Sequence, residues 1–316
     1  MKILFAGTPE IAVPSLQALS AEFNVAAVLT APDKVSGRGR KITPPAVKKA
    51  AIDLGIPVLQ PATLGSDARK QITEIGADFL IVFAYGRIFG PKFMALFPRG
   101  GINMHPSVLP LHRGPSPITA AILSGADKTA LTVQRVVLET DAGDIIRQTP
   151  YPLDGRETTA SLTEAIAQAA APELVQAVID IIGGREKRVP QDGSKATYCR
   201  IICKEDGLVD WEMSAGQLEK MVRAYIPWPK CRTTLKSESL VILESSVHQE
   251  TAGKPDEHAA PGTILGVDKS RGILIQTGNG ILAVTRLQLA SRKPLDFRSF
   301  LNGVKLENGT ILGEQS

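Results

Sequence analysis

Short, uninterrupted apolar runs alternate with longer amphipathic stretches over the first half of the chain. Strands are predicted at residues 2–6, 24–30, 56–59 and 78–84, with helices at 10–21, 45–54 and 66–75 between them. Apolar runs of this kind, bounded by turns such as Gly7-Thr8-Pro9, describe a parallel sheet covered by helices on both faces. Two further strands are read at 131–137 and 144–151, joined by a turn over 139–143. A long helix at 159–182 then stops at Gly183 and Gly184. After a stretch of mixed charge at 185–204 the texture changes. One amphipathic helix at 214–225, with Ser214 as its cap and Gln217 in the first turn, precedes five short strands at 232–235, 240–247, 262–267, 272–276 and 281–289. The implied organisation is α/β: a Rossmann-like domain over 1–184 with a mainly parallel sheet, a linker over 185–204, and a small OB-like β-barrel domain over 205–316.

The segment 101–114 stands out from this background. Asn103 and His105 alternate with Ile102 and Met104, so in an extended backbone both polar side chains share one face. Pro106 has no N–H and ends the ladder, which leaves an amide and an imidazole at the C-terminal end of a strand. Ligands of open α/β sheets bind there. A single Asn or His at such a place is commonly a turn-former. The pair gains weight from the downstream carboxylates Asp141 and Asp144. Ser107 is a conceivable nucleophile, but it sits beside Pro106; His112 reads as a loop histidine and Asp144 as a strand-end group.

Composition narrows the function classes. The chain has 316 residues, only 5% of them aromatic, and a net charge of +4, too small to prove a nucleic-acid partner by itself. The charge is concentrated: Lys34, Arg38, Arg40, Lys41, Lys48 and Lys49 crowd residues 33–49 against one acid, Asp33. Gly37 and Gly39 mark a mobile loop there, read as an arm that contacts phosphates, with a solvated surface loop as the plain alternative. Arg185, Lys187, Arg188, Lys195, Arg200 and Lys204 are candidates for extending that basic face. Three cysteines without a regular framework suit a reducing compartment, and Cys199 and Cys203 lack a second ligand pair for a metal. The first turn is neither Gly-x-Gly-x-x-Gly nor a Walker loop, which argues against a dinucleotide or ATP site. No segment is expected to reach the roughly 20 apolar residues of a membrane span. A cytoplasmic monomer without metal is expected.

Asn103, His105, Ser107, Leu109 and Pro110, followed by Leu138, Asp141, Gly143 and Asp144, resemble the signature of the formyltransferases that use 10-formyltetrahydrofolate. Val108 stands where that family usually has Leu, and Ala142 where it has Thr; neither change removes a polar group that the chemistry uses. Segments 5–9, 37–41, 83–86, 209–211, 225–229, 261–265 and 277–281 extend the likeness over nearly the whole chain, toward the members that act on methionyl-initiator tRNA. The resemblance implies Asn103, His105 and Asp141 as catalytic residues. It implies a folate wall of Ser107, Val108, Leu109, Pro110, Tyr85, Gly86 and Ile88, and a tRNA arm of Lys34, Arg38, Arg40 and Lys41, with Arg38 at the arginine that enters the acceptor stem. Formyl transfer to an amine passes through a tetrahedral oxyanion. An Asn103 N–H can stabilise that oxygen, His105 can donate to it and move protons, and Asp141 can orient His105 or a water. Two other readings stay open: a formyltransferase for a small amine, such as a nucleotide sugar or glycinamide ribonucleotide, and a non-catalytic tRNA-binding protein that keeps the fold.

Overall fold

The computed structural model describes residues 1–36, 41–248 and 259–313. Contacts divide the chain into two compact units. Residues 1–118, 128–153 and 161–200 form the first, and residues 119–127, 154–160 and 201–316 the second.

Through residue 182 the elements run β1 (Lys2–Gly7), α1 (Val13–Glu22), β2 (Asn24–Leu29), β3 (Lys34–Ser36), β4 (Lys41–Thr43), α2 (Ala46–Asp53), β5 (Val58–Leu59), α3 (Ser66–Ile75), β6 (Phe79–Phe83), α4 (Pro91–Met94), β7 (Gly101–His105), α5 (Pro117–Ser124), β8 (Lys128–Arg135), β9 (Ile145–Pro152) and α6 (Thr159–Ile182). Seven strands make one sheet in the order β5-β2-β1-β6-β7-β8-β9. The first five are parallel; β8 then runs antiparallel to β7, and β9 antiparallel to β8. Every residue of β6 and all but the first of β1 are buried, as central strands covered on both faces must be. Between β6 and β7 the rings of Tyr85, Phe89, Phe93 and Phe97 follow one another at 5.5, 4.8 and 5.6 Å, and they join Leu4, Leu29 and Leu80 in one core cluster.

Several elements depart from the sequence pattern for local reasons. The first helix begins at Val13 after a short 3₁₀ turn, with Pro14 in its opening turn, where a missing N–H does no harm. The stretch read as a loop around residue 38 is flanked by a two-stranded ribbon, β3 against β4, with Lys34 opposite Thr43 and Ser36 opposite Lys41. α6 corrects the expectation about apolar length: its 24 residues are long and apolar enough to cross a membrane by that measure alone. Its buried positions Leu162, Ile166, Ala170, Leu174 and Ala177 recur at helical spacing, and its acids Glu173 and Asp180 pair with Arg147 of β9, the pattern of a helix laid against a folded core. Residues 185–200 do more than link. Val189 pairs with Ile145, and the backbone of residues 197–199 bonds to Pro110 and Arg113, all within the first unit.

The second unit carries α7 (Ala215–Ala224), β10 (Cys231–Leu235), β11 (Glu238–His248), β12 (Ile264–Asp268), β13 (Gly272–Gln276), β14 (Ile281–Leu289), β15 (Leu295–Asp296) and α8 (Phe297–Gly303). Its strands form an antiparallel sheet in the order β10-β11-β14-β13-β12, with β15 against β14. Leu240, Ile242, Ile273, Ile275, Val284 and Phe300 are among its buried side chains. At the start of α7, Ser214 Oγ accepts from Gln217 N, and Gln217 Oε1 accepts from Ser214 N at 3.0 Å, the reciprocal cap read from the sequence.

Candidate active site

β7 places Ile102 and Met104 in the core and turns Asn103 and His105 to the other face. Register fixes their neighbours. Asn103 lies opposite Gln134 of β8, and His105 opposite Thr132, so four polar side chains share one patch of sheet. Asp141 reaches this patch from the β8–β9 loop. The loop doubles back tightly: Arg135 N donates to Asp144 O at 2.9 Å, and a Cβ on Gly143 would come within 1.8 Å of Arg135 O. Asp141 itself has a left-handed backbone, φ 52°, an uncommon state for a residue with a side chain. The fold holds it there because its carboxylate is the hub of the cluster.

Oδ1 of Asp141 accepts from Asn103 Nδ2 at 3.2 Å and from Gln134 Nε2 at 2.9 Å; Oδ2 accepts from the Gly114 backbone N at 2.8 Å and lies 3.5 Å from His105 Nδ1. The other ring nitrogen of His105 is 2.9 Å from the His112 carbonyl oxygen. A carbonyl only accepts, so Nε2 carries a proton and Nδ1 is the titrating position, facing the carboxylate. Burial pulls His105 below the ordinary imidazole value of 6.5, against the opposing pull of Asp141 and the His112 carbonyl. In this state both ring nitrogens are turned to protein atoms, so the imidazole acts together with Asp141 and does not reach outward alone. His112 is also lowered, first by burial and then by His105. Asp144, by contrast, braces the loop through its backbone carbonyl, which accepts from Arg135 N. The donors of the site converge on the Asp141 carboxylate.

The expected folate wall is unevenly exposed. Ser107 is completely buried; its Oγ donates to Leu111 O at 2.6 Å and its carbonyl accepts from Thr132 Oγ1 at 2.6 Å. Its hydroxyl therefore shapes the turn and is not presented as a nucleophile. Leu109 is buried, Val108 and Pro110 are half-buried, Gly86 is open with φ 76°, and Ile88 is 80% exposed. Tyr85 is buried, and burial raises its pKa against the lowering influence of the neighbouring Arg87.

Three residues that the sequence did not single out complete the site. Gln134 is buried on β8. Gln191, from the stretch read as a linker, shares its two amide N–H bonds among the carbonyls of Asp141 and Gly143, at 2.9 and 2.7 Å, and Gln134 Oε1, at 3.2 Å. Arg113, also buried, donates to Gln191 Oε1 through Nε at 3.1 Å and Nη2 at 2.9 Å. The antiparallel register would have pointed to Gln134, but nothing in the local sequence points to Gln191.

Of the basic arm, Lys34 is exposed on β3 and Lys41 opens β4, while Arg38 and Arg40 lie outside the described residues. The arm's one acid is engaged at its root: Lys48 Nζ donates to both Asp33 oxygens, at 2.9 and 2.8 Å, and Gln60 Nε2 to Oδ1 at 2.7 Å. Arg185, Arg188 and Lys195 pair with Asp180, Glu186 and Asp192, which weakens their case as an extension of the basic face.

Comparison with known proteins agrees with this geometry. Residues 1–178 match the formyl transferase family and residues 201–305 the formyl transferase C-terminal domain. The methionyl-tRNA formyltransferase of Treponema denticola is 43% identical over 311 residues, 96% of this chain and 97% of that one. The enzyme of the same name from Roseiflexus castenholzii is 37% identical over 318 residues, 99% of each. Among solved structures, the sugar 3N-formyl transferase WlaRD superposes with a TM-score of 0.67 at 20% identity, covering 93% of this chain and 99% of that one. The methionyl-tRNA formyltransferase from Clostridium thermocellum gives 0.54 at 15%, over 78% and 94%. Those two likenesses bear on the fold alone. By its matched domains and its full-length relatives, the chain belongs to the formyl transferase family, on the branch of the methionyl-tRNA formyltransferases.

Proposed function

We propose that this chain transfers the formyl group of 10-formyltetrahydrofolate to the free amino group of methionyl-initiator tRNA, in the bacterial cytoplasm. The relatives that match it end to end carry that activity in their name. The observation that carries the assignment to particular atoms is the convergence of Asn103, His105 and the Gly114 N–H on one half-buried carboxylate, Asp141.

The chemistry follows from what each group can give. The amine nitrogen attacks the formyl carbon, a C–N bond forms, and the carbonyl oxygen becomes an oxyanion. An amide has two N–H donors. One from Asn103 reaches Asp141, and the other serves the developing oxygen, a contribution of about 3 kcal/mol for a donor of this kind. The proton leaving the amine passes to the Asp141–His105 pair, whose titrating nitrogen faces the carboxylate. Collapse breaks the bond between the formyl carbon and the folate nitrogen, and the same pair returns a proton to that nitrogen. The wall from Tyr85 to Ile88 and from Ser107 to Pro110 receives the reduced pterin, its shape set by the buried Ser107 bond. Lys34, Arg38, Arg40 and Lys41 contact tRNA phosphates, and the second unit, read as OB-like, adds further RNA surface.

The test is formylation with 10-formyltetrahydrofolate as donor and two acceptors in parallel, methionyl-initiator tRNA and a free dTDP-amino sugar. Formyl-methionyl-tRNA as the dominant product is expected. Turnover of the sugar with the tRNA left untouched would replace the reading with a small-amine formyltransferase.

A further inference from the structure

The amides behind Asp141 are oriented without ambiguity. Arg113 has donors only, so the oxygen of Gln191 must face it, and the nitrogen of Gln191 must then face the carbonyls of Asp141 and Gly143 and the oxygen of Gln134. With its oxygen held there, Gln134 turns its nitrogen to Asp141 Oδ1 at 2.9 Å. Every bond in the series points the same way, from the guanidinium toward the carboxylate. Its two ends and Gln134 are largely withdrawn from water, with Arg113 and Gln134 3% and 1% exposed and the Asp141 side chain 13%, while Gln191 is half-buried. Chains of aligned hydrogen bonds in such surroundings polarise and strengthen one another. The acid that faces Arg113, Glu139, is 3.4 Å away and 70% exposed, so the cation's field toward the amides is only weakly offset.

We propose that Gln191 and Gln134 are positioning residues for formyl transfer: they form a one-way chain of donors from the Arg113 guanidinium to Asp141 Oδ1 that orients the carboxylate and fixes its loop over Asn103 and His105. This rests on Asp141 being the working carboxylate. Two functions meet in Gln191. Its bonds to the carbonyls of Asp141 and Gly143 hold the left-handed turn, and its bond to Gln134 hands the donor direction on. A residue serving structure alone would need only the first.

Gln134→Met separates the two, since it removes the donor to Asp141 Oδ1 and leaves the bonds from Gln191 to the two carbonyls, whereas Gln191→Glu removes both at once. The expected result for Gln134→Met, which keeps a side chain of similar length, is a folded protein with its folate KM within about twofold of wild type, and kcat lower by roughly ten- to a hundredfold. If that variant fails to fold, Gln191→Glu carries the same pair of expectations. A glutamate there keeps, and by charge strengthens, the anchor to Arg113, but an ionised carboxylate has no N–H for Gln134 or the two carbonyls. In the variant that folds, kcat within twofold of wild type would overturn the proposal. The wild-type protein, assayed alongside, separates the two levels. If it formylates no amine at all, the assigned reaction falls; if the wild type is active and the variant unaltered, only the donor chain falls.

Discussion

Two aspartates, Asp141 at the β7–β8 patch and Asp33 at the root of the β3–β4 ribbon, are alike in chemistry and opposite in setting. Each carboxylate accepts several N–H bonds at 2.7–3.2 Å. Asp33 is open to water, with its carboxyl lowered first by the Lys48 hydrogen bond and then by Gln60. Asp141 is walled in by a buried imidazole, two side-chain amides and a backbone N–H. At the first site, water replaces any partner that is lost, and an exposed pair is worth little. At the second, losing one group strands others away from water, where an unmet polar group is costly. The comparison teaches that bond count does not measure function. A reaction centre needs donors already in place when charge develops, whereas a surface for phosphates needs only cations that solvent can reach.

The largest effect should come from breaking the buried side. Asn103→Ala and His105→Ala should each lower formyl transfer by about a hundredfold or more, roughly 3 kcal/mol of barrier, with thermal unfolding showing a retained fold. Near-normal turnover in either purified variant would remove that residue from the mechanism. His105 also sharpens the contrast through pH. Its folded pKa is depressed, so the unfolded chain takes up a proton near 6.5 before the folded one does, and stability is lost as pH falls below that value. His112 acts with the same sign. Chemical denaturation between pH 8 and about 5 should therefore show a decline that His105→Asn flattens. An unchanged slope would mean that burial does not govern the ring.

Next comes the loop that carries Asp141. Gly143→Ala puts a methyl group against the Arg135 carbonyl and should cost about 1–3 kcal/mol of stability along with activity, read from urea midpoints and initial rates. A variant as stable and active as wild type would show the loop free to move aside. On the exposed side, Arg38→Ala and Lys41→Ala should weaken tRNA binding and reduce its log–log salt slope by somewhat under one unit each, with folate affinity unchanged. Unaltered slopes would reduce the arm to a plain surface feature and favour a small amine as acceptor. The smallest change belongs to Asp33→Asn, a small loss of stability that 1 M salt should largely erase.

How far the sequence carried this picture depends on the range of the signal. Asn103 and His105 were legible because strand alternation and Pro106 are local. The reciprocal cap of Ser214 and Gln217 and the strands of the second unit were legible for the same reason. Gln134 lay inside a strand already drawn, but its place opposite Asn103 comes from register across the sheet. Gln191 sat in a charged stretch without periodicity, which read as a linker because hydrogen bonds to distant carbonyls leave no pattern in the chain. α5 and the β3–β4 ribbon escaped because both are short and lie among Pro and Gly residues. Burial of the Ser107 hydroxyl was equally invisible, being decided by Thr132 and Leu111 packing around it.

The account turns on Asp141 being the carboxylate that works, with Asp144 only three positions away. The direct measurement is single-turnover formyl transfer to methionyl-initiator tRNA at saturating donor, with Asp141→Asn and Asp144→Asn matched against wild type. Asp141→Asn should be slowed by about a thousandfold or more, since it removes the proton acceptor and sets an amide nitrogen among three donors. Asp144→Asn should stay within about tenfold, its backbone bond to Arg135 being untouched. The reverse ranking would contradict the account.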